Sequence, residues 1–206
     1  MLQNKIEKIK KIFDCKKPED AMAEFFYIIS NLYSSEEDYK QSNFFLNISL
    51  FLNKKFEPNK ALLAENFYYQ KKLLDSKKMY NSLKSLGPNY SWYSSKSIAT
   101  ISIEKNNKVT AISNLENEFK QIPKKSFMHY YDLANFYKDN SYHEKSIKYY
   151  TKALQKIKKD HVLFPKILDR RGTSYEKLGD WKNSEQDLKD SLKILPDQPY
   201  VLNYLA

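Results

Sequence analysis

Small residues recur along this chain at a period near 34. Ser30, Ala64, Ala99, Ala134, Gly172 and Ala206 are separated, by subtraction, by 34, 35, 35, 38 and 34 residues. With Ser30 numbered as position 8 of a unit, position 20 brings Ser42, Ser76, Ala111, Ser146 and Ser184, small again each time. Position 7 is Ile29, Leu63, Ile98, Leu133, Arg171 and Leu205, apolar except for the arginine. Position 24 is Leu46, Tyr80, Leu115, Tyr150 and Leu188, and position 32 is proline at Pro88, Pro123 and Pro196. Each class has a physical reason. Antiparallel helices approach closely only where side chains are small, as at positions 8 and 20. Phe26, Ile29, Tyr33 and Leu46 fill the space beside that contact in the first unit. Proline near position 32 stops a second helix, because it has no N–H and clashes with the preceding turn. One such hairpin cannot bury both its faces, so units must stack.

Two stretches align directly: YYDLANFYKDNSYHEKSIKYYTKAL from Tyr130 and LDRRGTSYEKLGDWKNSEQDLKDSL from Leu168. The second carries Leu168, Arg171, Gly172, Tyr175, Ser184, Leu188 and Pro196, with Gly179, Asp180 and Trp181 at its turn. The first carries Tyr130, Leu133, Ala134, Tyr137, Ser146, Tyr150 and Ala153. This pattern resembles the tetratricopeptide repeat, whose frame is W-x2-L-G-x2-Y…A-x3-F…P. Unit three departs from it at Ser102 and Glu118 and is held in register by Ile98, Ala99, Ala111 and Pro123. The tail PDQPYVLNYLA resembles unit starts in long bacterial members of the family.

The resemblance implies an all-α fold: an α-solenoid of stacked antiparallel helix hairpins coiled into a right-handed superhelix. The expected division is residues 1–22 as an N-terminal amphipathic capping helix and connector, then five units over 23–198. Those units run 23–56, 57–91, 92–126, 127–164 and 165–198, and 199–206 begins a sixth. The 38-residue interval between units four and five is one helical turn longer than its neighbours. It predicts that the second helix of unit four runs on through Lys156 to Asp160. A sixth unit that stops at position 8 leaves Leu202 and Leu205 uncovered, so the expectation is a segment of a longer array with further repeats.

Composition excludes several alternatives. With three glycines in 206 residues, Gly87, Gly172 and Gly179 are the expected sites for positive φ, too few for a glycine-punctuated barrel or sandwich. No P-loop or GxGxxG spacing exists. The net charge is +10, from 35 basic and 25 acidic residues, yet the arginines are only Arg170 and Arg171. Nucleic-acid readers draw on arginine for bidentate contacts, so a solvated lysine surface is the plainer reading. Cys15 alone forms no internal disulfide. No apolar run approaches the roughly 18 residues that span a bilayer. Lys5, Lys8, Lys10 and Lys11 interrupt any signal-peptide core. Leu2, Ile6, Ile9 and Phe13 form a stripe at helical spacing instead. The compartment stays open: cytoplasmic by default, or periplasmic if a signal sequence lies upstream.

No catalytic constellation emerges. His129, His143 and His161 lie 14 and 18 residues apart, which is no metal-ligand spacing on one helix. His143 falls in a turn, where a solvated role is expected. The carboxylates Glu36, Glu37 and Asp38 read as a solvated turn. Neither metal, cofactor nor enzymatic activity is expected.

Binding is the remaining task. Positions 2, 5, 9 and 12 lie on the first-helix face opposite the packed one, and in the family that face lines the groove that holds partner peptides. Here it offers Tyr27 and Asn31, Glu65 and Tyr68, Tyr93 and Lys96, Tyr131, Asn135 and Lys138, and Asp169. Tyrosines give flat contact area with few torsions to freeze, and asparagine can serve an extended backbone as donor and acceptor. Family members that grip an acidic C-terminus use lysine and asparagine at positions 5 and 9 of one unit, with further basic residues later. Tyr27 with Asn31 and Lys96 with Thr100 do not reproduce that clamp. The expected partner is therefore a protein or peptide of another kind. A second reading is nucleic-acid contact through lysines such as Lys152, Lys156, Lys158 and Lys159. Position 5 runs Tyr27, Ala61, Lys96, Tyr131 and Asp169, without the regularity of an RNA-reading array. A third is membrane recruitment through the N-terminal stripe.

Overall fold

The computed structural model describes residues 12–199 and 201–202. Among them ten α-helices follow one another without a strand: α1 Pro18–Ser35, α2 Tyr39–Leu52, α3 Pro58–Tyr69, α4 Leu73–Leu83, α5 Pro88–Glu104, α6 Lys108–Gln121, α7 Phe127–Asp139, α8 His143–Leu154, α9 Phe164–Lys177 and α10 Trp181–Ile194. Helices pack in hairpins, α1 on α2, α3 on α4, α7 on α8 and α9 on α10. Neighbouring hairpins meet through α2 with α3, α4 with α5 and α8 with α9. The fold is an all-α helical-repeat solenoid. The chain divides into two compact units, Met1–Glu118 and Phe119–Ala206.

The small residues sit where close approach requires them. Ser30, Ala64, Ala99 and Ala134 are buried, as are Ser42, Ser76, Ala111, Ser146 and Ser184. At Gly172 an added Cβ would lie 3.1 Å from the Leu188 side chain and 3.2 Å from the Ser184 carbonyl oxygen. Serine adds a bond that alanine cannot. Ser42 Oγ donates across the first hairpin to the Ser30 carbonyl at 2.8 Å, and Ser76 Oγ does the same to Ala64 at 2.8 Å. Nearer the open end of the hairpin, Ser49 Oγ donates to the Ala23 carbonyl and Ser191 Oγ to that of Pro165. Each satisfies a buried hydroxyl and holds two helices in register.

The hairpin turns differ from the sequence expectation. Glu37, Lys71, Asn106, Ser141 and Gly179 all adopt φ between 60 and 75°. They stand 34, 35, 35 and 38 residues apart, by subtraction, so each is the same position of its unit. Positive φ is thus carried by four non-glycine residues besides Gly87 and Gly179, whereas Gly172 is helical and serves close approach. A single residue in the left-handed region costs only about 1–2 kcal/mol, which the packing of both flanking helices can offset.

Proline also works differently at one site. Pro123 and Pro196 follow the ends of α6 and α10, but Pro88 opens α5 as its first residue, where a missing N–H is harmless. Pro18 opens α1 in the same way, five residues ahead of the expected start of unit one.

The predicted overrun of unit four's second helix does not occur: α8 ends at Leu154. The extra residues form an irregular connection in which Ile157 turns inward, 7% exposed, against Tyr131, Ala134, Tyr150, Ala153 and Ile167. A continued helix would have carried Ile157 away along its axis, and burying it outweighs one more turn of exposed Lys156, Lys158 and Lys159. Arg171, the exception at position 7, does not disturb the core. Its Nε and Nη2 donate to the two oxygens of Asp187 at 2.7 Å each, and its Nη1 donates to Thr151 Oγ1 at 2.9 Å. The expected capping stripe Leu2, Ile6 and Ile9, like Leu205 and Ala206, lies outside the described residues. Leu202 is half-exposed and Val201 buried.

Candidate peptide-binding face

The first unit places Tyr27, Glu65, Tyr68 and Tyr93 together on the exposed face of α1, α3 and α5. Two depressions adjoin there. One is walled by Tyr27, Pro58, Ala61, Asn89, Tyr90 and Tyr93. The other is walled by Glu65, Tyr68, Tyr69, Tyr80, Ser97 and Thr100. Tyr93 separates them: its ring lines the first, and its hydroxyl donates to Glu65 at 2.5 Å in the second. Its ring also meets the buried Tyr80 edge-on, with centroids 5.6 Å apart.

Local geometry fixes these side chains. Tyr27 stands edge-on to Phe56, centroids 5.4 Å apart and planes at 89°. Tyr68 Oη donates to Glu104 Oε1 across from α3 to α5. Burial first, then the hydrogen bond and charge of Glu104, push the Tyr68 phenol up to about 12. Burial likewise raises Tyr93, with Tyr80 and Glu65 adding to it. Both phenols therefore stay protonated donors at neutral pH. Asn31 is exposed and donates Nδ2 to the Tyr27 carbonyl of its own helix at 2.8 Å. Lys96 lies half-buried on α5.

In the second unit the expected residues serve packing more than an open face. Tyr131 is only 7% exposed and belongs to the core cluster with Tyr150, while the Arg170 guanidinium sits 5.6 Å from its ring centroid. Asn135 Oδ1 accepts from Tyr150 Oη at 2.7 Å and from Arg170 Nη1 at 2.6 Å, so its acceptor is used internally. Lys138 pairs with Asp139 at 3.7 Å. Asp169 has a buried Oδ1 without a partner, and burial raises its pKa against the opposing pull of Arg170, Lys138 and Lys166.

His143 is not the solvated turn residue expected: it opens α8, and its Nδ1 is buried without a partner. Among the described residues no group of three or more His, Cys, Asp or Glu side chains is placed to hold a metal ion. No helix among them is long and apolar enough to cross a membrane. The sequence reading passed over Tyr69, Tyr80, Asn89, Tyr90 and Glu104 as site residues. A signal for two of them was present: Tyr90 lies three residues before Tyr93, and Glu104 four after Thr100, spacings that share a helix face.

The tetratricopeptide repeat model matches residues 130–155, which are the hairpin α7–α8. This hairpin is a tetratricopeptide repeat, and the chain as a whole shares the fold of tetratricopeptide-repeat proteins. No curated protein matches the sequence. Solved structures match it in fold. TTC0263, a thermophilic TPR protein in Thermus thermophilus, superposes with TM-score 0.63 at 12% identity, over 89% of this chain and 96% of that one. BtubC (BKLC) from P. vanneervenii gives 0.62 at 13% identity over 84% and 80%. YrrB, a TPR protein with an unusual peptide-binding site, gives 0.52 at 13% identity over 92% and 93%.

Proposed function

We propose that the protein is a non-catalytic interaction scaffold that holds an extended segment of a partner protein on the first-helix face of its N-terminal unit. Members of this fold family, such as YrrB with its peptide-binding site, make protein partners the natural class. The observation that carries the reading is the pair of adjoining tyrosine-walled depressions on α1, α3 and α5. Solvent-facing aromatic walls with fixed rings give contact area at low entropic cost, and the hydroxyls and carboxylates between them give direction. On the second unit Tyr131 and Asn135 are committed to internal contacts, so binding there relies on Lys138 and Asp169.

Site-specific photo-crosslinking tests this in the native host. A photoreactive residue at Asn89, beside Tyr90 on the aromatic face, is expected to capture a protein. The same residue at Lys77, exposed on α4, is expected to capture none. Equal capture from both sites, or none from Asn89, would remove the face from binding. Nucleic acid crosslinked from the lysine-rich stretch Lys156–Lys159 would favour the alternative partner class.

A further inference from the structure

We infer that the depression between α3 and α5 receives the cation of a lysine or arginine side chain on the bound segment. The inference rests on the binding role proposed above and deepens it. Three tyrosines, Tyr68, Tyr69 and Tyr80, form the walls together with Glu65, Ser97 and Thr100. Tyr68 and Tyr69 meet edge-on with centroids 5.4 Å apart, which presents ring faces in different directions. Faces of this kind attract cations through the ring quadrupole.

Two carboxylates stand at this pocket, and both are oriented. Glu65 is held by the Tyr93 hydroxyl and Glu104 by that of Tyr68. Each accepts one phenolic hydrogen and retains acceptor capacity for a charged donor. Among the described residues no cation pairs with Glu65. Glu104 already attracts one: Lys71 Nζ lies 3.8 Å from Glu104 Oε2 and 5.5 Å from the Tyr68 ring centroid. The Lys71 side chain is 73% exposed, so it covers the rim and leaves the Glu65 side of the pocket open. A cation entering between the rings would meet Glu65 and the aromatic walls of Tyr68, Tyr69 and Tyr80.

The net charge of +10 does not oppose this, because charges beyond a Debye length of about 8 Å are screened at physiological salt. The neighbouring depression, walled by Tyr27, Pro58, Ala61, Tyr90 and Tyr93, suits an apolar residue of the same segment. Recognition of a basic side chain is also the reverse of the acidic-tail clamp, whose lysine and asparagine do not occur together at positions 5 and 9 of any one unit here.

The test uses the full chain and a random twelve-residue peptide library displayed on phage. Selected peptides are expected to share a lysine or arginine. One selected peptide is then titrated calorimetrically with that residue intact, exchanged between lysine and arginine, or replaced by norleucine. The norleucine peptide should bind the wild-type chain about tenfold more weakly, and Glu65→Gln should remove that difference. Glutamine still accepts the Tyr93 hydrogen bond, so the wall persists. Binding that needs Tyr27 and Tyr90 but ignores the basic residue overturns the cation assignment and leaves the binding face standing. A basic peptide that binds Glu65→Gln and Glu104→Gln as well as wild type also overturns it. Failure to select any peptide overturns both readings.

Discussion

The two units of the chain lock their hairpins with different chemistry. In the first, polar side chains lie at the interface. Asn66, fully buried on α3, donates Nδ2 to Ser42 Oγ at 2.7 Å and to Asn43 Oδ1 at 2.8 Å, and its Oδ1 accepts from Ser34 at 2.8 Å. Asn59, two turns earlier on α3, donates to Ser49 at 2.9 Å, while its buried Oδ1 has no partner. In the second unit the corresponding contact is one hydrogen bond, between the buried Ser146 and Ser174 hydroxyls at 2.9 Å, and the space beside it is filled by Tyr131, Ala134, Tyr150, Ala153, Ile157 and Ile167, with one oriented ion pair nearby. The lesson is that one repeat geometry accepts two ways of excluding water. An apolar contact tolerates exchange as long as volume is kept, whereas a satisfied hydrogen-bond network tolerates little, since each lost partner strands another. The match to the repeat model falls on the apolar unit, at residues 130–155.

The largest expected effect comes from the ion pair of the second unit. The side chains of Arg171 and Asp187 are 18% and 7% exposed. Asp187→Ala would leave a guanidinium largely out of water and should destabilise by about 3 kcal/mol in chemical denaturation. The double change Arg171→Leu with Asp187→Leu should recover most of that loss, since leucine at position 7 is what unit four already has in Leu133. If the double variant is as unstable as the single one, the pair supplies something that apolar filling cannot, and the contrast between units weakens.

The first unit is expected to respond the other way. Asn66→Ala takes the acceptor from the Ser34 hydroxyl and a donor from Asn43 Oδ1 and should cost about 2 kcal/mol, read as faster amide exchange in α1, α2 and α3. Asn66→Leu should not recover it, because the leucine leaves the Ser34 hydroxyl and Asn43 Oδ1 without the same partner. Recovery by leucine would show that both units obey the apolar rule.

Much of this architecture is legible in the sequence. The 34-residue spacing of Ser30, Ala64, Ala99, Ala134 and Gly172 predicted helix hairpins, because closeness of two backbones leaves a mark in side-chain size. The buried asparagines left no such mark. Asn59 and Asn66 occur once each in their register, and only the packed neighbours reveal that the Asn66 amide is satisfied at both ends while Asn59 Oδ1 has no partner. The face residues divided similarly. Tyr27, Glu65, Tyr68 and Tyr93 meet on one surface, as their helical spacing suggested. Tyr131 carries the same spacing yet is buried, since Arg170 and Tyr150 close over it. Periodicity locates a face on its own helix but does not say how far the next helix leans over it.

What the units share should respond equally in both. The left-handed turn residue is Lys71 in one and Gly179 in the other, at φ 61° and 75°. Lys71→Gly removes a strained Cβ and should stabilise by about 1 kcal/mol, and Gly179→Ala should destabilise by a similar amount. Nothing lies within 4 Å of the added Cβ at Gly179, so a loss there reports backbone conformation alone. Thermal melts of the two variants, moving in opposite directions, are the check. A larger shift for one turn than the other would mean that the unit, and not the turn, sets the strain.

The smallest effect is confined to the second unit and follows pH. Burial lowers the pKa of His143, helped by the positive charges of Lys138 and Lys177 and opposed by Glu176. The folded chain therefore resists a proton that the unfolded chain accepts near its ordinary pKa of about 6.5. As pH falls below that value the unfolded state binds more protons, so stability is lost on acidification and is fully present above it. Asp169, raised by burial, acts with the opposite sign and in a more acid window: its stabilising share declines as pH rises above the ordinary carboxylate range. His143→Gln should thus flatten the fall in stability just below pH 6.5 relative to wild type, and Asp169→Asn should leave that window unchanged. Parallel denaturation curves for wild type and His143→Gln across pH 5 to 7 would mean that the buried Nδ1 finds a partner for its proton when it charges.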